Sequence, residues 1–588
     1  MAGKVLNLEQ EYATDTIARQ LTMLYRKWYI QLDVKMSEWK ELRNYLFATD
    51  TSHTSNSTNP WKNKTTLPKL TQIRDNLHAN YMDALFPNDN WLKWEGYDKE
   101  SSTKDKRLAI EAYMQNKLRE SGLRETISQC VYDYIDYGNV FADCEWVNEG
   151  YTDPTTGQRV STYVGAKVRR ISPFDHVFNP TAISYKDTPK FTRYIKSVGE
   201  IKKELLTRPE LQYDMEVFNK AIKGRAKLST FKSEDLNKEE AFRIDGFGSV
   251  TEYYQSGLME IIEFEGDLYD ATTDTLYENR IITVIDRLYT IRNIPNPSWM
   301  GKSYKEHVGW RDRPDNLYSM GALDNLVGMQ YRLDHLENAK ADALDLTIQP
   351  PLVIKGDVSP FTWAPNAEIH IAEDGDVTTL APNSAAFQVN NEIAFLLQTM
   401  EEMAGAPKQA MGIRTPGEKT AFEVQQLDNA AGRIFQNKVN KFEIQFLEKL
   451  VNNFLELSVR NLDVADLVRV MDNDLGVAKF MTITKEDITA KGKLRPIGAR
   501  HYATQAQLLQ NLQGIFNSPI GQIIAPHVSP KKMAKLVEEY MGFERYGFFG
   551  DNAAIFEQQQ TQKLINTAQQ NVDVHNQTPV EENLLNKA

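Results

Sequence analysis

Gly301-Lys302-Ser303 ends in the manner of a phosphate-binding loop, in which glycines free backbone N–H groups to cradle phosphates and the lysine meets the distal charge. That loop needs a glycine at position 296, where Asn296 stands, and Pro295, Pro297 and Trp299 crowd the place where the amides would converge. Nucleotide chemistry is not expected there. Asp472-Asn473-Asp474 with Gly476 is oxygen-rich like a calcium loop, but the register is wrong and no ligating Glu follows at the needed spacing, so a solvated acidic turn is expected. The nine histidines make no HxxxH or HExxH pair, and no G-x-S-x-G elbow occurs. The sequence therefore predicts no catalytic residue, no metal and no cofactor. Cys130 and Cys144 are too few for a disulfide framework and are read as small buried residues.

Cations come in small groups. Lys167, Arg169 and Arg170 fall on a strand-like run, and Lys531, Lys532 and Lys535 open a helical one; both are expected to be solvated faces, since neither is interleaved with exposed aromatics. Leu24-Tyr-Arg-Lys-Trp-Tyr-Ile30 has cations and aromatics together, but helical spacing favours packing. A third group, Lys408, Arg414 and Lys419 with Gln409, lies in a loop from Ala406 to Lys419 containing Pro407, Gly412, Pro416 and Gly417.

At 588 residues, and with about 100 to 200 residues per domain, the chain should form roughly three to five units. Hydrophobic residues at 41% and charged residues at 25% are ordinary for a globular protein, and no apolar run is long enough to span a bilayer. The opening Met1-Ala-Gly-Lys-Val-Leu-Asn has no apolar core of signal-peptide type, so a cytoplasmic origin is expected. The net charge of −12 opposes a large nucleic-acid-gripping surface, because neutralising phosphates needs clustered Lys and Arg.

Apolar residues at spacings of three and four predict helices over about Glu11 to Phe47, Pro68 to Phe86, Lys104 to Gly122, Val198 to Leu206 and Met215 to Ala226. Ala48 to Thr66 reads as a surface loop. From about Val140 the texture turns to strands, with runs at Val164 to Ile171, Leu258 to Phe264 and Arg280 to Ile291. A long helix over about Met320 to Leu346 is stopped by Pro350-Pro351. Strands at Leu352 to Lys355 and Glu368 to Ile371 follow, then a short helix from Asn390 to Ala404. After the loop, capping signals at Thr415 and Thr420 start a very long helix, ending near Leu462. Strands at Leu467 to Val470 and Phe480 to Ile483, helices at Tyr502 to Phe516 and Pro530 to Met541, and a Gln-rich tail complete an α+β, mostly helical chain.

The order long helix, compact β insert, short helix, proline-glycine loop, very long helix resembles the order of stem, clip, stem, tunnel loop and wing helix in phage portal proteins. Asn59-Pro60-Trp61, Ala84-Leu-Phe-Pro87 with Trp91, and Tyr137-Gly-Asn-Val140 are similar to segments of the head-to-tail connecting proteins of podoviruses. Arg414-Thr-Pro-Gly-Glu-Lys-Thr-Ala421 with Glu423 resembles that family's Arg-Thr-Gly-Glu-x-x-Thr-Ala-x-Glu pattern, with Pro416 as an extra residue. The resemblance implies an N-terminal wing (1–318), a stem helix (319–346), a clip (347–389), a second stem helix (390–404), a tunnel loop (405–419), a wing helix with strands (420–485), and a crown with a flexible tail (486–588).

It also implies a non-enzymatic homo-oligomer, a ring of about twelve subunits at one capsid vertex of the virion. Double-stranded DNA would pass through it during packaging and ejection. The terminase motor, tail adaptor, major capsid and scaffolding proteins would be its partners, with no membrane. Lys408, Gln409, Arg414 and Lys419 would contact DNA from the tunnel loop. Asp324, Asp334, Glu337, Asp342 and Asp345 would give the stem an acidic lumen wall that DNA does not adhere to. The alternatives are another oligomeric virion part, such as a tail adaptor or internal scaffold, and, less favoured, a nucleotide-dependent enzyme using Gly301-Lys302-Ser303.

Overall fold

A computed structural model describes residues 16–59, 61–87, 91–153, 155, 157–208, 211–228, 252, 257–270, 274–299, 301–348, 350, 352–356, 370, 375–379, 388–404, 434–462, 466–471 and 478–497. The protein mixes helix and strand, with helix the larger share. Among the described residues no helix is long and apolar enough to cross a membrane. The chain divides into two compact units, Met1–Ala465 with Thr484–Ala499, and Asp466–Ile483 with Arg500–Ala588. In the second unit the described residues form one antiparallel hairpin, β14 (Asp466–Met471) paired with β15 (Ala478–Ile483).

The first unit begins with helix α1 (Thr16–Leu46), which buries Leu21, Tyr25, Leu32, Met36 and Trp39, residues three, four or seven apart that share one face. Helix α2 (Lys69–Leu85) stops before Phe86-Pro87, as the proline requires. Strand β1 (Leu92–Gly96) follows, and then α3 (Lys104–Glu120). Gly122, at φ +70°, turns the chain straight into α4 (Leu123–Asp136), a helix the sequence reading did not separate from its surroundings. Cys130 on α4 and Cys144 are both buried and unpaired.

Two antiparallel sheets form the body. One contains β2 (Asn139–Thr152), β3 (Arg159–Ile171) and β9 (Glu306–Gly309), in the order β3-β2-β9. The other runs in sequence order through β4 (His176–Phe178), β5 (Lys190–Ser197), β6 (Leu258–Asp270), β7 (Thr275–Ile285) and β8 (Tyr289–Pro295). Alternation assigns its two faces. Phe191, Ile262, Phe264, Ile282 and Val284 pack with Tyr25, Trp28 and Trp39 of α1. Met259, Ile261 and Ile285 pack with Ile201 of α5 (Val198–Thr207) and Phe218 of α6 (Met215–Leu228).

The expected run Arg280 to Ile291 is two strands. Asp286 and Arg287, at φ +50° and +61°, make a tight hairpin turn between them, closed by the Leu288 N–H donating to the Ile285 carbonyl at 3.0 Å. The helix expected from Met320 also starts later. Asn316–Met320 is a strand, β11, paired with β10 (Arg311–Arg313). Asp324 accepts from the Gly321 N–H at 3.0 Å, and a short 3-10 turn Asp324–Leu326 leads into α7 (Val327–Ile348).

Beyond α7, β12 (Leu352–Lys355) pairs antiparallel with β13 (Asp376–Thr379). The strand expected at Glu368 to Ile371 lies outside the described residues, apart from His370. Helix α8 (Val389–Ala404) follows, and its Ile393, Met400 and Ala404 are buried. Residues 405–433 are likewise outside; from residue 434 the chain is helical through a π turn, Glu443–Leu447, into α9 (Glu448–Asn461). After the short α10 (Lys485–Ile488), β16 (Gly492–Pro496) pairs with β1, joining the unit's two ends. The helices expected after residue 500 lie outside the described residues.

Candidate functional site

Gln330, Asp334, Asn338 and Asp342 recur every four residues on α7, with Asp345 one turn further, and so line up along one face. The extended segment 62–67 lies along that line. The Lys62 and Asn63 N–H groups donate to Asp342 at 3.1 and 3.0 Å, and the Asn63 side chain donates to Asp342 at 2.7 Å and Asp345 at 3.0 Å. Asn338 accepts from the Thr65 N–H at 2.8 Å and donates back to the Thr65 carbonyl at 2.7 Å. Asp334 accepts from the Leu67 N–H and the Thr66 hydroxyl at 3.0 Å each, and from Gln330 at 2.9 Å. Gln330 also donates to the Leu67 carbonyl at 2.6 Å.

Two extended residues advance about 6.6 Å and four helical ones about 6 Å, so the two ladders stay in step. The helix side chains thereby supply partners that a neighbouring strand would otherwise give.

This arrangement removes Asp334 from the expected acidic wall. Asp334 is fully buried and presents no surface charge; burial, opposed by its three donors, pushes its pKa up to about 6. Asp342 and Asp345 face the strap, Asp324 accepts from Lys35 at 3.2 Å, and Glu337 pairs with Lys340 at 2.7 Å. Helix α8 packs on α7, with Arg332 3.4 Å from Glu392. At its other end Glu401 is ion-paired to Lys69. Lys408, Gln409, Arg414 and Lys419 lie outside the described residues.

Asn338→Ala should free the strap at its centre. The loss of two strap bonds is expected to lower stability by roughly 1–3 kcal/mol. Hydrogen exchange should show faster exchange at Thr65 and Leu67; unchanged protection there would refute the clasp.

A second cluster was not foreseen. Lys305, fully buried, reaches Glu263 at 2.6 Å and Glu265 at 3.3 Å, and Arg292 lies 3.6 Å from Glu263. Arg169 faces Asp143 at 3.8 Å and Glu145 at 3.5 Å, and Arg208 reaches Glu145 at 3.0 Å. Burial works to raise the Glu263 pKa, but Lys305 and then Arg292 hold it down to about 2. Burial pushes Asp143 up to about 7 against Lys305 and Arg169. The visible clue was the spacing Glu260, Glu263, Glu265 on a strand; nothing local marked Lys305.

The basic strand cluster is partly solvated but ion-paired: Arg169 pairs with Asp143 and Glu145, and Arg170 grips Asp133 at 2.5 and 2.7 Å. Lys167 pairs on the surface with Glu149 at 2.7 Å. His176 and His307 sit against Phe141 at 4.6 and 4.7 Å. Burial holds both imidazoles neutral, His176 well below its usual range and His307 at about 3. Gly301-Lys302-Ser303 joins β8 to β9 rather than a strand to a helix, and the Gly301 N–H donates to the Ser298 carbonyl at 3.0 Å, so that amide is not free for a phosphate. Asp472 to Gly476 and Lys531, Lys532 and Lys535 are outside the described residues.

Among the described residues no His, Cys, Asp and Glu group is arranged to hold a metal. The geometry supports clasping and inter-sheet pairing. No family model matches the chain, and no curated protein matches it either.

Proposed function

We propose that this chain is a portal (head-to-tail connector) subunit of a short-tailed phage, forming a ring at one capsid vertex through which double-stranded DNA is packaged and ejected. The observation that carries the reading is the excursion from the α+β body: α7, the β12–β13 ribbon, and α8 returning along α7, followed by a long helix. The stem would then begin near Val327 rather than at residue 319. The ribbon belongs to the clip, where the terminase motor and tail adaptor would dock, and residues 405–419 to the tunnel loop.

Support also comes from the co-occurrence, in order, of the Pro-Trp, Leu-Phe-Pro, Gly-Asn-Val and Arg-Thr-Pro-Gly-Glu segments. An acidic chain suits a conduit, since repulsion of phosphates lets DNA slide. The strap gives α7 a fixed base on the wing, so that a stem helix could bear load without leaving the body. Negative-stain images of the purified protein test the proposal. Rings of uniform diameter with a central hole are expected; monomers or solid particles would overturn it.

A further inference from the structure

Helix α1 carries a second apolar stripe, opposite the one it buries. Met23, Ile30 and Val34 are spaced by seven and four residues, and are 62%, 69% and 71% exposed. Arg19, Arg26 and Lys27, all exposed, continue the same i, i+3, i+4 line, and none is paired to a described residue. Single exposed apolar residues are ordinary; a row of three in register with three cations on a core helix needs a reason.

Helix α8 presents a counterpart of opposite charge. Phe395, 68% exposed, lies on one line with Glu392 and Glu402, and Met403 borders it. Among the described residues Glu402 accepts only from Gln398, at 2.9 Å, and Glu392 only from half-exposed Arg332, at 3.4 Å, so both carboxylates remain available at the surface. The stripes have similar reach: Arg19 to Val34 spans about 22 Å and Glu392 to Met403 about 16 Å.

We propose that the outer face of α1 on one copy of this chain seats against the outer face of α8 on the next, with Phe395 filling the apolar row between Met23 and Ile30. The inference deepens the ring reading and rests on it for the identity of the partner. Copies carrying a net charge of −12 repel one another, so a stable contact must set a positive face on a negative one. The α1 stripe is such a positive face, and α8 supplies the matching acids. Because the two faces differ, the contact is head-to-tail and can close into a ring. An exposed aromatic entering an apolar row supplies the anchor, and the flanking charges fix register.

Charge exchange tests it. Arg26→Glu with Lys27→Glu, and separately Glu392→Lys with Glu402→Lys, should each weaken assembly by about tenfold or more, read by native mass spectrometry and light scattering. All four changes together should restore it. Met23→Cys with Phe395→Cys should give intermolecular disulfides on oxidation, with little background because Cys130 and Cys144 are buried. If each charge-reversed pair assembles like the parent chain, or the four together rescue nothing and the cysteines do not crosslink, the interface is wrong while the ring stands. A parent chain that stays monomeric at every concentration would remove the ring reading itself.

Discussion

Replacing Phe446 with alanine is expected to lower the free energy of unfolding by about 3–5 kcal/mol. Its ring is fully buried in the π turn before α9, 5.1 Å from the Phe442 ring, which lies 5.1 Å from Tyr134 of α4. Truncation leaves a cavity that neither neighbour can fill without abandoning the other, since Phe442 is held between Phe446 and Tyr134. The π turn adds to the effect: its extra residue rotates the helix so that Phe446 and Leu447 are both buried. Urea unfolding should show a lower midpoint with an unchanged slope. A loss under about 1 kcal/mol would mean that the side chain is not enclosed. If the chain forms rings, their yield should fall with the same variant, because α9 helps hold the first unit together.

What could be read from sequence followed from local periodicity. The three-and-four spacing on α1 and the prolines at 87 and 350–351 placed the C-terminal ends of α1, α2 and α7 to within a few residues. Besides α4 and the Lys305 cluster, three things escaped. Asp286-Arg287 forms a left-handed hairpin turn without the Asn-Gly or Asp-Gly signature such turns usually carry. The β1–β16 pairing joins Leu92 to Pro496, and no local pattern reports a partner so distant. The acidic count on α7 was legible, but not its direction: counting charge suggested a wall, whereas the four-residue interval of Gln330, Asp334, Asn338 and Asp342 was the better signal. Polar residues of mixed charge repeated at one helical interval indicate a main-chain partner, because only hydrogen bonding, and not charge, is common to Asn, Gln and Asp.

The inter-sheet seam follows the same rule on strands. Glu263 and Glu265 point to one face of β6, opposite Thr192 and Lys190 of β5. Glu260 points to the other face, where Arg287 holds it at 2.6 and 2.8 Å. Burying acids on both faces is tolerable only because a cation reaches each of them. Lys305 arrives from the connection before β9, which makes the seam a tertiary property of the chain.

That seam predicts a pH dependence centred on Asp143. Asp143 sits across from Arg169 on β3, with Lys305 and Glu265 and Glu263 of β6 near it, and burial outweighs the two cations. An acid whose pKa rises on folding binds its proton more tightly in the folded chain. Its contribution is full below the unfolded value near 3.8 and is lost as pH climbs through about 7. The interval corresponds to roughly 4 kcal/mol for this group alone. Asp133, raised to about 7 by burial against Arg170, acts in the same direction. Glu263, held at about 2, acts oppositely and only in acid, its stabilisation disappearing as pH falls below about 4. Asp143→Asn removes the first contribution and leaves the others. Relative to Asp143→Asn, the parent chain should therefore lose stability between about pH 5 and pH 8, by up to about 3 kcal/mol, whereas buried His176 and His307 act in the opposite direction and equally in both proteins. Because an amide at this position cannot ionise, the variant should equal or exceed the parent above about pH 7. Parallel pH profiles for the two proteins would show that Asp143 is ionised in the folded chain throughout, paired with Arg169 or Lys305.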